Sequence, residues 1–410
     1  MGIGGRLDIA ADLARRSVPL IGDPADYDAL LDLIGDRRIV LIGEATHGTH
    51  DFYRERARIT RRLIEEKGFN AVAVEADWPD AYRINRFVRG VGTDAGSVDA
   101  LGDFRRFPAW MWRNADVLDF VGWLRQHNEA LPAGRRAGFY GLDLYSLRSS
   151  MQAVLAYLDK VDPQQARIAR DRYACFDQFG DEMQEYGYAA VSGLHPSCER
   201  EAVGQLLALH HQRAALAARD GRVAPDEFFY AEQNARLVKN AEAYYRTMFA
   251  GRAESWNRRD DHMAEGGELN LGQLVRQEYG AAAVNVGFTT YTGTVTAATE
   301  WGGPAHRRHV RPGMAGSYER LFHDAGLVRA LLPLKTDAVL ADALLMPRLE
   351  RAIGVLYLPE TERRSHYFKA RLSEQFDYVL HFDETRAVEP LERTSAWEAG
   401  EMAETFPSGL

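Results

Sequence analysis

The sequence is poor in cysteine: only Cys175 and Cys198 occur among its 410 residues. A small scaffold held together by several disulfides is therefore excluded, although one disulfide between these two residues remains open. Disulfides are rare in reducing compartments, and residues 1–16 lack the charged-then-apolar order of a secretory signal. We therefore expect a cytoplasmic protein.

The sequence also lacks an excess of positive charge, because 50 lysines and arginines oppose 59 aspartates and glutamates, for a net charge of −9. Nucleic-acid-binding proteins usually present a basic face, so a nucleic-acid partner is disfavoured. No apolar run is long enough to span a bilayer, so no membrane partner is expected. The content of 46% hydrophobic and 27% charged residues is that of an ordinary globular protein. The sequence does not predict its oligomeric state.

Three common signatures of enzymes are missing as well. The sequence contains no Gly-x-Ser-x-Gly nucleophile elbow, no Walker-type phosphate loop and no His-Glu-x-x-His zinc helix. Neither cysteine lies beside a histidine at the end of a strand. Hydrolases that depend on a nucleophilic side chain are therefore disfavoured, and histidine combined with carboxylates remains.

Short apolar strands alternate with amphipathic helices, which predicts an α/β fold with a mainly parallel central sheet flanked by helices. The first strand leads into a helix predicted at 51–67, which should stop at Gly68. Strands are predicted at Arg38–Gly43, Phe69–Val74, Ala137–Leu142, Ala282–Thr290, Ala352–Leu358 and Phe376–Phe382.

Residues 150–265 interrupt this alternation, since their apolar residues recur at helical spacing with almost no strand signal. They predict a large helical insertion or lobe. We therefore expect residues 1–149 to form the N-terminal part of the α/β core with the catalytic motifs. Residues 266–410 should form its C-terminal part.

Each of the first three predicted strands leads into an acidic residue, namely Glu44, Glu75 and Asp143. Ligands of open α/β sheets bind where strands end and helices begin, so neighbouring strands would bring these acids together. His47 and His50 follow Glu44 in the turn before the first long helix. The sequence therefore predicts a site of carboxylates and imidazoles at this edge.

Such a set suits general base catalysis, because histidine can take a proton from water while a carboxylate orients its ring. An arginine such as Arg56 would stabilise an oxyanion, since its charge persists. Each group also has a plainer interpretation. Glu44 and Asp143 could cap helices, and His47 could be an ordinary loop histidine. His50 suits a capping or supporting group better than a base.

Aromatic residues form a dense group behind the second strand. Trp78, Tyr82 and Phe87 precede a patch of rings within residues 104–112. Rings of this kind either line a cleft for a bulky, partly apolar ligand or belong to the core.

The motif around the first strand end resembles the erythromycin esterase family, through Gly43-Glu44-Ala45-Thr46-His47-Gly48 with Phe52 and Arg56 behind it. Similarity extends over most of the chain, in Val74–Trp78, Phe139–Asp143, Asn257–Met263 with Arg259-Asp260, and Gly287–Gly293.

The resemblance implies an α/β core, a helical lobe and metal-independent hydrolysis of a macrolactone ester by water, with no cofactor. It implies that His47 is the general base, that Glu44 and Glu75 support it, and that Arg56 binds the carbonyl or stabilises the oxyanion. We further predict that the substrate contacts His50, Trp78, Asp143 and Tyr291. The family name also points to macrolides and antibiotic resistance, although the natural substrate stays open.

The sequence departs from the family pattern at one place. The family usually carries a strand ending in a Trp-Ala-His-Asn-type motif after the Arg-Asp helix, whereas here Glu265 runs directly into Gly266. Either the chain has lost this strand and its histidine, or the sequence omits a stretch. We favour the omission, because so short a connection can hardly replace a strand with its flanking helix.

The function predicted from the sequence is therefore a hydrolase that cleaves a lactone or other ester, without a covalent intermediate, through water activated by His47. One alternative is a metal-dependent hydrolase in which Glu44, His47, Glu75 and Asp143 bind a divalent cation. The other is a relative that binds a ligand and has lost the chemistry.

Overall fold

The structure is a computed structural model that describes residues 9–180, 183–220, 225–249 and 271–400. The α-helices, numbered α1 to α17 in chain order, are Ile9–Arg16, Asp28–Ile34, His50–Lys67, Trp78–Val88, Ser97–Ala100, Ala115–Glu129, Leu147–Val161, Pro163–Tyr173, Met183–Val191, Glu199–Asp220, Pro225–Thr247, Leu271–Tyr279, Tyr318–Asp324, Ala338–Ala343, Glu362–Ser365, Leu372–Gln375 and Ser395–Ala399. The strands, β1 to β10, are Val18–Pro19, Ile39–Ile42, Ala71–Asp77, Gly138–Asp143, Ala283–Ala297, His306–Val310, Arg329–Leu332, Arg348–Arg351, Tyr367–Ala370 and Tyr378–Thr385.

The chain divides into two compact units. The first comprises Met1–Asn70, Gly96–His127 and Arg276–Leu410, and the second comprises Ala71–Ala95 and Asn128–Val275.

The first unit contains a six-stranded sheet with the order β1-β7-β10-β5-β2, in which β6 also pairs with β5. The long strand β5 runs parallel to β2 and β10, whereas the β1–β7, β7–β10 and β5–β6 pairs are antiparallel. The predicted α/β class is confirmed, but this sheet is mixed rather than mainly parallel. The short strands β6 and β7 run opposite to the other four strands, and local apolar patterns do not specify strand direction.

Helix α3 covers one face of this sheet through aromatic packing. The ring of Phe52 lies 5.0 Å from that of Phe288 on β5 and 6.2 Å from that of Phe382 on β10. Burial of each such side chain contributes on the order of 2 kcal/mol. Since His50 and Arg56 lie on the same helix, this packing fixes the position of both side chains relative to the strand ends.

The ends of α3 follow from its sequence. The helix begins at His50 and ends at Lys67, and Gly68 closes it with a φ of 71° in the left-handed region that glycine tolerates. The predicted helix at 51–67 is therefore confirmed. The strand predicted at Ala352–Leu358 is wrong, because Ile353 and Leu356 form only isolated bridges to Thr46 and Ala298.

The second unit combines a two-stranded parallel sheet, β3–β4, with helix α4 and helices α7 to α11. Its core is apolar and helical, and a disulfide joins Cys175 to Cys198. The helices occupy the described part of the segment predicted to be helical, while residues 250–270 lie outside the described residues. Among the helices that the structure describes, none is long and apolar enough to cross a membrane.

Candidate active site

The turn after β2 carries Glu44 and His47 and is fixed by backbone hydrogen bonds. The N–H of His47 donates to the carbonyl of Ile353 at 2.9 Å, and the N–H of Ile353 donates to the carbonyl of Ala45 at 2.9 Å. These two bonds leave little freedom to the backbone between Glu44 and His47. The backbone of Ile353 thus holds the turn through two hydrogen bonds.

Gly48 in this turn lies directly against strand β5. A Cβ atom on Gly48 would lie 1.9 Å from the carbonyl oxygen of Thr296, far inside any real contact. The same glycine accepts a hydrogen bond from the N–H of Thr296 at 3.0 Å. The close approach therefore requires glycine, which explains the last residue of the Gly43–Gly48 motif in physical terms.

Glu44 binds a histidine and an arginine with its two carboxylate oxygens. Its Oε1 atom is hydrogen-bonded to Nδ1 of His47, and its Oε2 atom accepts a hydrogen bond from Nη1 of Arg56 at 2.7 Å. Arg56 reaches the carboxylate from the second turn of α3. The structure thus brings together three of the predicted site residues, Glu44, His47 and Arg56, while their catalytic roles stay predictions.

The charges in this group stabilise one another. Burial by itself would raise the pKa of Glu44, but the Arg56 guanidinium and the His47 imidazole outweigh it and lower that pKa to about 2. Burial would lower the pKa of Arg56, yet the Glu44 carboxylate raises it above its ordinary value. Glu44 is therefore an anion and Arg56 a cation at every physiological pH.

The arrangement suits a histidine that exchanges protons with water. A carboxylate on Nδ1 favours the tautomer in which Nδ1 carries the hydrogen and Nε2 accepts one, an assignment made from the hydrogen-bond pattern. The edge of the ring that carries Nε2 lies 3.8 Å from the place that a Cβ on Gly354 would occupy. Glycine at this position keeps bulk away from the reactive edge.

His50, the first residue of α3, has a carboxylate partner that the sequence analysis missed. Its Nδ1 atom lies 2.8 Å from Oδ2 of Asp116, which belongs to the first turn of α6. Asp116 is 66 positions away in the chain, and the only local signal is that Asn114 precedes it as a helix-capping residue. Nothing in that signal points to His50.

Three predicted residues lie in the second unit. Glu75 is a half-buried residue of β3 beside the register shift between Val74 and Asp77. Asp143 is 6% exposed at the end of β4, and its carboxylate accepts the N–H of Leu144. The structure does not use Asp143 as a helix cap, since α7 begins after Ser146.

Trp78 belongs to the apolar core of that same second unit. It is 8% exposed, and its ring stacks with those of Tyr82 and Tyr140 at centroid distances of 5.8 and 6.0 Å. This position agrees with the core interpretation of the aromatic group. Substrate contact through Trp78 stays a prediction.

Tyr291 lies on β5 in the first unit. Its ring stacks on the imidazole of His323 at a centroid distance of 3.8 Å, and its carbonyl accepts a hydrogen bond from Arg351. Both partners come from outside the Glu44–His47–Arg56 group. Substrate contact through Tyr291 likewise stays a prediction.

The carboxylates do not form a metal-binding cluster in the described ranges of the chain. Among those residues, no three histidine, cysteine, aspartate or glutamate side chains are placed to hold one ion. Both oxygens of Glu44 bind His47 and Arg56 instead.

Comparison with known proteins agrees with the resemblance. The sequence model of the erythromycin esterase family matches residues 64–266 and 264–385, which is more than half of the chain. The chain belongs to the erythromycin esterase family. The name of the family is that of an ester hydrolase, which is the enzyme class expected from the sequence.

The two matched segments meet at residues 264–266, where the sequence departs from the family pattern. The structure does not describe residues 250–270. This range includes the Arg259-Asp260 pair and the place where the family pattern has its histidine motif. The match begins after the Gly43–Gly48 motif, so the roles of Glu44, His47 and Arg56 rest on the resemblance and the geometry.

A curated relative, the erythromycin esterase type II of Escherichia coli, is 29% identical over 152 residues. This match covers 36% of this chain and only 34% of the relative, about a third of its length. A solved succinoglycan biosynthesis protein has the same fold, with a TM-score of 0.74, 19% identity and coverage of 95% of this chain and 100% of that chain. A mutant erythromycin esterase in its open conformation gives a TM-score of 0.61 at 18% identity, over 91% and 96% of the two chains.

Proposed function

We propose that this protein hydrolyses a carboxylic ester or lactone by direct attack of water that His47 activates. The observation that carries the proposal is the binding of Glu44 to both the His47 imidazole and the Arg56 guanidinium. A carboxylate on Nδ1 supports the imidazolium that forms when Nε2 takes a proton from water.

The chemistry proceeds in two stages on these groups. The water oxygen bonds to the carbonyl carbon while its proton moves to His47, and the carbonyl oxygen becomes an oxyanion. The carbon–oxygen bond of the leaving alcohol then breaks, its electron pair goes to the alcohol oxygen, and that oxygen takes a proton from a protonated histidine, which releases acid and alcohol. Arg56 is the cation bound to Glu44, so it would bind the carbonyl or the oxyanion. No atom of the protein is bonded to the acyl group.

We propose a lactone or other neutral ester as the substrate class, with macrolactones included. The name of the Escherichia coli relative supports this class.

Glu75 is proposed as a further catalytic carboxylate on the strength of the resemblance, and Glu75→Gln tests it through loss of turnover in a folded protein. His50, Trp78, Asp143 and Tyr291 are proposed to contact the substrate. Action in the cytoplasm and a role in macrolide resistance are proposed on the same basis.

The test is to incubate the protein with a panel of alkyl esters, aryl esters and a macrolide lactone, followed by product mass spectrometry. The wild type and His309→Asn, a control on the exposed surface of β6, should each add one water to the same substrates. His47→Asn should add none at matched enzyme concentration. If the wild type hydrolyses no ester, or if His47→Asn retains full turnover, the proposal is wrong.

The absence of a covalent intermediate has its own test. Acid quenching of the wild type during steady-state turnover, followed by intact-protein mass spectrometry, should show only the unmodified mass. A population carrying the mass of the acyl group would replace direct water attack with nucleophilic catalysis.

A further inference from the structure

The first unit contains a second histidine–carboxylate pair that the proposed mechanism does not use. Nδ1 of His50 lies 2.8 Å from Oδ2 of Asp116, and the two side chains are 27% and 11% exposed. Those of His47 and Glu44 are 26% and 17% exposed. The two pairs are therefore alike in chemistry and in access to solvent.

Backbone hydrogen bonds fix the second pair. Two carbonyls of the segment 386–391 accept these hydrogen bonds. The N–H of His50 donates to the carbonyl of Arg386 at 2.8 Å, and the N–H of Ala115 donates to the carbonyl of Glu389 at 3.0 Å. A single segment thus holds the beginning of α3 and the beginning of α6 together. The His50–Asp116 contact therefore joins two braced helix ends, which is the preorganisation that a proton-transfer group needs.

Asn114 adds a side-chain brace to Asp116. It is fully buried, its Oδ1 atom accepts the N–H of Val117 at 2.9 Å, and its Nδ2 atom donates to the carbonyls of Trp110 and Met111. This is the bonding of a helix-capping asparagine at α6. Asp116 lies in the first turn of that helix, the end at which the helix dipole interacts favourably with an acidic side chain.

Tyr53, in the first turn of α3, contacts both the first pair's arginine and the segment that leads into α6. Its ring lies under the Arg56 guanidinium, 4.4 Å from centroid to Cζ, and its hydroxyl donates to the carbonyl of Met111 at 2.9 Å. Burial raises the pKa of Tyr53 above its usual range. His47 and His50 are only three residues apart in the chain, so the two pairs are neighbours at the beginning of α3.

We propose that His50, held by Asp116, is the general acid that protonates the leaving alcohol of the ester, a role that rests on the proposed function. When the carbon–oxygen bond breaks, its electron pair goes to the alcohol oxygen and the Nε2 proton of His50 goes with it. His47 ends the turnover protonated and His50 deprotonated, and solvent restores both. Asp116 is a positioning residue that holds the ring through Nδ1.

Two pairs with separate tasks have an advantage over one histidine that performs both. A single histidine must carry the proton from the water side of the carbonyl to the leaving-group side, as in the serine protease triad. A lactone keeps its alcohol tethered to the acyl part, so prompt protonation would prevent the ring from closing again. The rival interpretation is that His50 and Asp116 only fix the helix ends.

The test compares two esters that share one acyl group, an alkyl ester and a p-nitrophenyl ester. An alkoxide is a poor leaving group and needs a proton, whereas nitrophenolate leaves without one. General acid catalysis contributes typically about a hundredfold or more, so His50→Gln should lose about that much kcat/KM on the alkyl ester. Its loss on the p-nitrophenyl ester should stay below about tenfold, since that step needs no acid.

Asp116→Asn should change the ratio of the two rates in the same direction and by less, whereas Asp119→Asn, an exposed neighbour on α6, should leave both rates unchanged. Added imidazole should restore alkyl-ester turnover in His50→Ala. His47→Asn should lose kcat/KM on both esters to the same extent. Equal losses on the two esters in His50→Gln, without rescue by imidazole, would overturn the acid role. A wild type that hydrolyses neither ester, nor any other ester, would overturn the proposed function itself.

Discussion

Two histidine–carboxylate pairs of the first unit, Glu44–His47 and His50–Asp116, are alike in chemistry and differ in how they are assembled. In the first pair, Glu44 and His47 are three residues apart in one turn, and Arg56 neutralises the carboxylate. In the second pair, His50 and Asp116 come from two helices that are brought together by a distant segment of chain. A guanidinium supports the first anion, and a helix N-terminus supports the second.

This difference teaches how each pair fits its proposed task. A base needs a permanently ionised partner that stabilises the imidazolium it becomes, and the Arg56 charge keeps Glu44 ionised down to about pH 2. An acid needs to be held toward the leaving group, and the braced helix ends hold His50 in place. The predictions below act on one pair at a time.

The largest effect is expected from Glu44→Gln, which breaks the first pair. The amide cannot stabilise the imidazolium, so kcat/KM should fall by roughly a thousandfold on alkyl and p-nitrophenyl esters alike. Steady-state kinetics with both esters measure this, and Glu66→Gln on the exposed face of α3 is the matched control. A loss confined to the alkyl ester would assign Glu44 to the acid side.

Arg56→Lys comes next, because it keeps the charge and removes the planar fork. Lysine cannot reproduce the guanidinium geometry, so kcat/KM should fall by about ten- to a hundredfold. Arg58→Lys, two residues along the same helix and 45% exposed, should change kcat/KM by less than about twofold. Equal rates in the two variants would remove Arg56 from the site.

The contribution of the first pair to the free energy of unfolding should decrease as the pH falls. The pKa of Glu44 falls from 4.5 to about 2 on folding, so its contribution is complete above pH 4.5 and is lost as the pH falls towards 2. At about 1.4 kcal/mol per pKa unit, the contribution is roughly 3 kcal/mol. Denaturant unfolding at several pH values should show the wild type and Glu44→Gln converging as the pH falls below 4.5. A gap that stays constant with pH would contradict the pKa.

The smallest effect is expected from Tyr53→Phe, which keeps the ring under Arg56 and removes the hydroxyl. The Met111 carbonyl loses a hydrogen bond, which costs on the order of 1 kcal/mol of stability. Because Tyr53 contacts both Arg56 and the segment that leads into α6, kcat/KM should fall by about the same few-fold factor on both esters. Loss on one ester alone would mean that Tyr53 serves only one pair.

The first pair was predictable from the sequence because its determinants are local. Glu44 and His47 share one turn, Arg56 lies two helical turns later, and Gly68 marks where α3 stops. Each of these is a short-range pattern that the structure reproduces. The resemblance to the family motif added the roles and not the geometry.

The second pair and the sheet pattern were not predictable, because their determinants are distant in the chain. Asp116 meets His50 where the segment 386–391 joins the beginnings of α3 and α6, and no local pattern encodes that pairing. The strand expected at Ala352–Leu358 instead supplies Ile353 as a backbone clamp for the His47 turn. Local apolar content predicted a strand at Ala352–Leu358 and nothing at 386–391, and tertiary pairing decided what both segments do.

The measurement that tests the central claim most directly is kcat/KM of His47→Asn and His309→Asn on the best ester of the panel. Asparagine cannot accept the proton of water, so His47→Asn should lose about a thousandfold or more while its unfolding transition stays close to that of the wild type. His309→Asn should match the wild type. A folded His47→Asn protein with undiminished kcat/KM would show that water activation lies elsewhere.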